Sequence, residues 1–432
     1  FKNPETEAFK KIGSTSNIVQ IDNNIWALYR GSIYKLNVNG ASAEKINISY
    51  SFDRNLKDEF AQMFSEIWAN IEENYYNETL NNVDWKEIRK RYANYLPHAT
   101  SRTEFQRLII DMLGELNSSH VGFTTFGPEE KIFYSTSTLA VGLLFKKDEP
   151  YVVQRVIKES PASLSKHSIK PGDRLIAVGG QEVDSSENRN KYFTRPEMKD
   201  ELKLTFRRDD KIFTALLHPV AYSSIRSNLY DEWEADNKRL VEKKTDKKVA
   251  YIHLKDMSAA ALEKFLIKMT SETYRKEALI LDLRYNTGGN VHDPVLQFLQ
   301  QRPYLKWKYR GGKYAPQPNF APAAKPIVLL VNHQTLSDGE VTAAAFKQLD
   351  LGTVIGGHTY KWIIFTSGKS LVDGSFYRLP SWGVYTLSGE NLEQTGVAPD
   401  IKIINTFKNR LEGEDPQLQK AVQFIMQKLE NE

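Results

Sequence analysis

Ser337 lies in the run His333-Gln334-Thr335-Leu336-Ser337-Asp338-Gly339-Glu340, between the apolar strand pattern PIVLLVN and a helical pattern that starts at once. A hydroxyl at such a strand-to-helix turn sits beside helix amino-terminal amides that can receive an oxyanion, which is the setting of a nucleophile in acyl transfer. Ser337 with Glu340 three places on also fits a capping box, whose task is only to satisfy those amides. Spacing leaves both readings open. A second turn, Arg284-Tyr285-Asn286-Thr287-Gly288-Gly289-Asn290, follows the apolar run ALILDL. Its glycines let a backbone amide approach a ligand closely, or they make a tight connection with no chemical role. His120 ends the run Gly114-Glu115-Leu116-Asn117-Ser118-Ser119-His120 just past a helical pattern, and reads as a general base or as a helix-end residue. Glu393, in LEQTGVAPD, gains chemical meaning only if folding brings it to one of these.

Composition narrows the chemistry. The 432 residues hold 58 basic and 54 acidic side chains, a net charge of +4, so no concentrated basic field marks a nucleic-acid partner. With no cysteine there is no disulfide, thiolate nucleophile or cysteine-held metal. No histidine pair has HExxH spacing, so no metal or other cofactor is expected. No apolar run approaches the ~20 residues of a membrane helix. The chain starts at Phe1 rather than methionine, which reads as a processed form or a fragment; its compartment is not fixed, with a slight lean to export.

The elements that must position these residues fall into four stretches. From about Ser16 to Tyr50 short alternating runs separated by Asn-Asn, Gly and Asn-Gly turns predict a β-meander. From Leu56 the period becomes helical, with Phe60, Met63, Phe64, Ile67, Trp68 and Ile71 on one stripe. Further helices are expected over Val83 to Leu96 and Thr103 to Leu116, the latter capped by Ser101 with Glu104. Between about 135 and 222 short strands return around LAVGLLF and SPASLSKHSIKPGDRLIAVGG, an arrangement resembling a PDZ domain. A polar stretch from Asp231 to Lys248 follows, its lysine pairs reading as solvated turns. Then VAYIHL, ALILDL, PIVLLV and TVIGG alternate with helices over Ala259 to Thr270, His292 to Gln300 and Asp338 to Leu349. Continuous apolar strands alternating with helices imply a sheet covered on both faces, with a ligand crevice at the strand carboxyl ends.

The order of GELNSSH, SPASL with KPGDRL, LDLRYNTGG, LSDGE and LEQTGVAPD, with QMFSEIWANIEENYY and VDWKEIRKRY ahead of them, resembles the carboxyl-terminal processing peptidases and more closely the tricorn proteases. The resemblance runs from about Arg54 to the end. It implies a multidomain α/β protein: a propeller-like β remnant (1–52), a helical domain carrying the histidine (53–133), a PDZ-like domain (134–222), and a crotonase/ClpP-like α/β domain carrying the serine (223–432). It also implies a serine endopeptidase acting on peptides or unfolded segments. Ser337 would be the nucleophile and His120 its base, with Ser119 and Glu393 completing a tetrad and the Gly289 and Asp338 amides forming the oxyanion hole. Gly142 and Leu143 would belong to a peptide-binding loop of the PDZ-like domain, which could equally be a spacer.

The processing branch pairs its serine with a lysine two places after the aromatic residue of a Thr-aromatic-Gly-Lys motif. Here Thr359-Tyr360-Lys361-Trp362 puts Trp362 at that place and Lys361 one position early, on the other face of an extended segment. Ser-His is therefore expected over Ser-Lys. Tricorn's acidic residue ahead of the nucleophile strand is absent, and Lys306-Trp307-Lys308-Tyr309-Arg310 stands there. Cleavage after acidic or apolar side chains is expected rather than after Arg or Lys. The competing functions are a catalytically silent ligand carrier on the same fold and a PDZ-type scaffold. A homo-oligomer is compatible with the resemblance without being required by it.

Overall fold

The computed structural model describes residues 17–49, 53–127, 129, 136–197 and 200–431. The expected boundaries near 52 and 133, and the Ser16 and Tyr50 ends of the meander, lie outside them.

Residues Ile18–Ile21, Asn24–Tyr29, Ser32–Asn37 and Ser42–Lys45 form a four-stranded antiparallel sheet in sequence order. Its core is small, Ala27 and Ala43 with Tyr29, Tyr34 and Leu36, and it leaves Ile18, Val19, Ile21 and Leu28 exposed. The sheet lies in the first of two compact units, which divide between Glu59 and Phe60.

Three helices follow in sequence, Leu56–Asn74, Trp85–Ala93 and Arg102–Gly114. The first buries the expected stripe, Phe60 through Ile71. Phe60 stacks on Phe105 at 4.5 Å, and the Trp68 and Trp85 indoles each donate to the other's carbonyl. The third is capped by Ser101, whose hydroxyl accepts the Glu104 amide. Gly122–Thr124 then leaves this helical layer and pairs antiparallel with Phe376–Gly383, opposing Gly122 to Arg378. Arg102, with no exposed side-chain surface, pins the same junction through Asp373 at 2.5 Å.

The PDZ-like segment holds an antiparallel sheet of Gln181–Glu182, Arg174–Val178, Leu202–Arg208 and Lys211–Leu217, and a separate pair of Leu143–Phe145 with Val153–Val156. Leu175, Val178, Leu204 and Phe206 fill its core.

A helix over Tyr222–Lys244 follows. The expected solvated turn at Lys243-Lys244 is thus corrected: Lys247 and Lys248 fall in the turn that follows, whereas Lys243 and Lys244 form the last turn of the helix itself. Only Ile225, Asn237 and Val241 are buried on it, too sparse and too polar a stripe to announce a helix.

The last module is a five-stranded parallel sheet in the order Val249–His253, Ala278–Asp282, Ile327–Val331, Thr353–Gly356, Ile401–Lys402. Alternation divides the strands between two cores. Leu279, Leu281, Leu329 and Val331 pack with the helices Ala259–Ser271, His292–Leu299 and Asp338–Gln348. Ala278, Ile280, Val328 and Leu330 pack with Tyr222–Lys244 and a carboxyl-terminal helix, Pro416–Asn431. Both faces are covered, and the turns bearing Gly288-Gly289 and Ser337 leave the strands at their carboxyl ends.

Candidate active site

Ser337 stands between the strand Ile327–Val331 and the helix Asp338–Gln348 with φ 51° and ψ −119°. An ordinary helix cap has extended backbone and contributes about 1 kcal/mol. Left-handed backbone at a non-glycine residue costs about 1–3 kcal/mol, more than capping returns. Capping alone therefore does not account for this conformation. Glu340 does return to the Ser337 amide, at 3.1 Å.

The glycine turn lies against this serine. A β-carbon on Gly288 would sit 2.7 Å from Ser337 Cβ and 3.3 Å from the Asp338 nitrogen. Gly289, at φ 156°, is pressed onto Met257, whose carbonyl oxygen would be 2.1 Å from an added β-carbon. Met257 donates to the Gly288 carbonyl and accepts from Asn290, fixing the turn from both sides. Among the described residues, the Gly289 and Asp338 amides make no hydrogen bond. A buried N–H without a partner, as at Asp338, is rare in folded proteins, and together with the exposed Gly289 amide it flanks one hydroxyl-bearing side chain.

Ser119, His120 and Glu393 form a second cluster. The Ser119 amide and hydroxyl donate to the two Glu393 carboxylate oxygens at 2.7 and 2.9 Å, and the Ile363 amide adds a third bond at 2.8 Å. Burial nonetheless pushes the Glu393 carboxyl above its ordinary value. His120, at φ 57°, holds its ring beside Trp362, with Nε2 3.3 Å from the Trp362 carbonyl and Nδ1 2.9 Å from Arg378 Nη2. Arg378 can only donate, so Nδ1 accepts and the neutral ring carries its proton on Nε2. Desolvation first and Arg378 second lower the imidazole pKa to about 4. The cluster opens on a cavity of about 760 Å³ that Tyr76, Val83, Lys361 and Trp362 also line.

The sequence-derived residues thus gather as two groups, Ser337 with Gly289 and Asp338, and His120 with Ser119 and Glu393. No hydrogen bond joins Ser337 to His120. Glu340 links the groups: Oε1 accepts from Ser337 and Trp362, and Oε2 from Lys361 and Thr359, so Ser337 and the peptide facing His120 share one buried carboxylate. Burial raises the Glu340 pKa. Lys361 is exposed; its amide serves Glu340 and its stem lies along Gly396. Sequence reasoning missed Arg378 and Trp362 as neighbours of His120, and read Glu340 only as a cap. The strand register of Gly122–Thr124 on Phe376–Arg378, which would have exposed Arg378, leaves no local signal.

Gly142 and Leu143 lie elsewhere, in the PDZ-like segment. Gly142 packs on Ser160, whose Cβ would be 2.1 Å from an added β-carbon, and Leu143 begins the strand paired with Val153–Val156. Among the described residues no group of three His, Asp or Glu side chains could hold a metal ion, and no helix is long and apolar enough to cross a membrane.

Comparison with known families agrees with this layout. The peptidase family S41 model matches residues 248–403, the tricorn protease C1 domain 56–114, and a PDZ domain 139–217. The S41 match spans the parallel sheet, Ser337 and Glu393. The chain is 28% identical to tricorn protease homolog 1 of Streptomyces coelicolor over 86% of its own length and 35% of the relative's. It is 26% identical to the tricorn protease of Thermoplasma acidophilum over 87% of its length and 36% of the relative's. The chain therefore spans about a third of these relatives. The crystal structure of the tricorn protease superposes with a TM-score of 0.77 at 22% identity, covering 96% of this chain and 41% of that one, a likeness of fold.

Proposed function

We propose that this protein is a serine endopeptidase that hydrolyses peptides or unfolded segments through an acyl-enzyme on Ser337. The observation that carries the reading is the strained Ser337 flanked by two unbonded amides, Gly289 and Asp338. In this mechanism Ser337 Oγ attacks the scissile carbonyl carbon while its proton passes to His120. The carbonyl oxygen, now negative, is received by the two amides. The proton then goes to the departing amine, and water attacks the ester by the reverse steps. Glu393 and Ser119 hold the segment bearing His120. The imidazole must turn away from Arg378 or Trp362 to reach Ser337, so the arrangement described is a resting one.

We assign to the domains the ranges 1–52, 53–133, 134–222 and 223–432. In the first, the small-cored meander with exposed Ile18, Val19 and Ile21 fits a blade of a propeller. The covered parallel sheet of the last fits a crotonase/ClpP-like domain. Assembly into a homo-oligomer rests on the tricorn likeness. In the PDZ-like domain, Leu143–Phe145 has one strand partner among the described residues, so a peptide end could add along its other edge near Gly142.

Lys361, which lines the cavity, and Arg378, which bonds the His120 ring, have no carboxylate partner among the described residues. They favour acidic substrate side chains, as does the lysine-rich hairpin Leu305–Lys308 with Tyr314–Gln317. In a fluorogenic panel differing only at the residue before the scissile bond, Glu and Leu peptides should match or exceed the Arg peptide. Cleavage of the Arg peptide ~10-fold faster than both would sink the preference, and no cleavage of any would sink the peptidase reading.

The engaged ring of His120 is also what a catalytically silent protein would show, and a pH profile separates the two. A base must be neutral, so kcat/KM should hold its plateau well below pH 6.5 and fall toward the His120 pKa of about 4. Arg378→Ala removes one of the two lowering causes and should move that acid limb upward. A limb that stays in place, in a variant that folds, would exclude His120 as the titrating base.

A further inference from the structure

His292 is the first residue of the helix His292–Leu299, three places after Gly289, and takes no part in the chemistry above. Its ring Nδ1 lies 2.5 Å from Asp338 Oδ1. The other oxygen of that carboxylate, Oδ2, accepts the Val291 and His292 amides at 2.7 and 3.1 Å. Asp338 is 1% exposed. Its carboxylate therefore ties the segment just after Gly289 to the start of the helix that holds Ser337, while its own amide is the second of the two unbonded donors. On the other side Met257 grips the glycine turn. The distance between the two donors is fixed from both flanks.

The clamp has an electrostatic cost that His292 offsets. A buried carboxylate bonded only by neutral amides would oppose negative charge developing nearby on a carbonyl oxygen. A protonated imidazole on Asp338 makes the pair neutral while keeping all three bonds. The groups facing the ring are Asp338 from the neighbouring helix, Asp293 from its own at 3.6 Å, and the uncharged ring of Phe365 at 6.0 Å. The bond to Asp338 comes first among the causes that raise the His292 pKa, and Asp293 adds to it, so the ring keeps its proton above the usual histidine range.

We propose that His292 is a positioning residue for acyl transfer at Ser337: bonded to the buried Asp338 carboxylate, it keeps the Gly289 and Asp338 amides in register and cancels the carboxylate's charge beside the oxyanion. This rests on the serine peptidase reading. It acts through Asp338, so its signature is a loss in kcat with KM retained, and a kcat that falls at alkaline pH as the imidazolium is lost.

The test compares wild type, His292→Asn and His292→Ala with one fluorogenic peptide from pH 6 to pH 10, and with a fluorophosphonate that phosphonylates the serine. Asparagine keeps a donor near the Nδ1 position without charge, and serves should alanine destabilise the turn. The expected result is a kcat lowered ~10-fold in His292→Asn and ~100-fold in His292→Ala, with KM within about two-fold and the alkaline fall in kcat gone from His292→Asn. A wild type that cleaves peptide while His292→Asn keeps the same kcat and the same pH profile would overturn the role of His292 alone. A wild type that neither cleaves peptide nor takes up the fluorophosphonate would overturn the serine peptidase reading, and this inference with it.

Discussion

Ser337→Ala is expected to lower kcat/KM for peptide hydrolysis by about 10⁴-fold or more, since removing the nucleophile of a serine peptidase costs about that much or beyond. The fold should survive. The hydroxyl is not the group that holds this turn together: Glu340 bonds the Ser337 amide, Asp338 bonds the 291–292 amides, and Leu336 donates to Asn286. Alanine fits the left-handed backbone no worse than serine does, because both carry a β-carbon. A variant that unfolds at the same denaturant concentration as wild type yet has lost turnover would separate chemistry from stability. Retention of more than about a tenth of wild-type kcat/KM would place the nucleophile elsewhere.

Arg284→Ala should have the largest effect on stability, about 3–5 kcal/mol, because it strips the buried Asp282 and the partly buried Asp415 of the cation they share. Arg284 is 1% exposed. Its Nη2 meets Asp282 Oδ2 at 2.7 Å, its Nε meets Asp282 Oδ1 at 2.9 Å, and its Nη1 meets both Asp415 oxygens at 2.7 and 2.8 Å. Asp415 in turn accepts the Leu418 amide and the Asn405 side chain, so one guanidinium joins the end of the strand Ala278–Asp282 to the start of the last helix. Alanine leaves the buried Asp282 carboxylate and the partly buried Asp415 carboxylate without that cation. Burial alone would raise the Asp415 pKa, but the Arg284 charge and bonds outweigh it and hold the carboxyl below its ordinary value. Its contribution is therefore present above the unfolded carboxylate pKa and lost as pH falls through the lower folded one. Denaturant unfolding should show the deficit at neutral pH, and Arg284→Ala with Asp415→Asn should recover part of it. A deficit under about 1 kcal/mol would mean water reaches the pair.

The strand-turn-helix frames around Ser337 and Gly289 were legible in the sequence because PIVLLV and ALILDL are unbroken apolar runs ending in polar, glycine-bearing turns, a pattern that a sheet buried on both faces requires. The stripe Phe60 to Ile71 was legible for the same reason, at helical period. The helix Tyr222–Lys244 was hidden because it buries only three residues, one of them Asn237. Nothing local joined Ser119 to Glu393, since their bond spans 274 positions and depends on Gly122–Thr124 pairing with Phe376–Arg378. Those residues came into view through family resemblance, while Arg378 and Trp362, which engage the His120 ring, did not. Both nitrogens of that ring are satisfied without Ser337, and spacing along a chain carries no record of rotamers.

The most direct test of the central claim is the intact mass of the protein after incubation with a fluorophosphonate, for wild type, Ser337→Ala and His120→Ala. An activated Ser337 with His120 as its base predicts one adduct in wild type, none in Ser337→Ala, and one formed far more slowly in His120→Ala. An adduct retained in Ser337→Ala, or none in folded wild type, would contradict it.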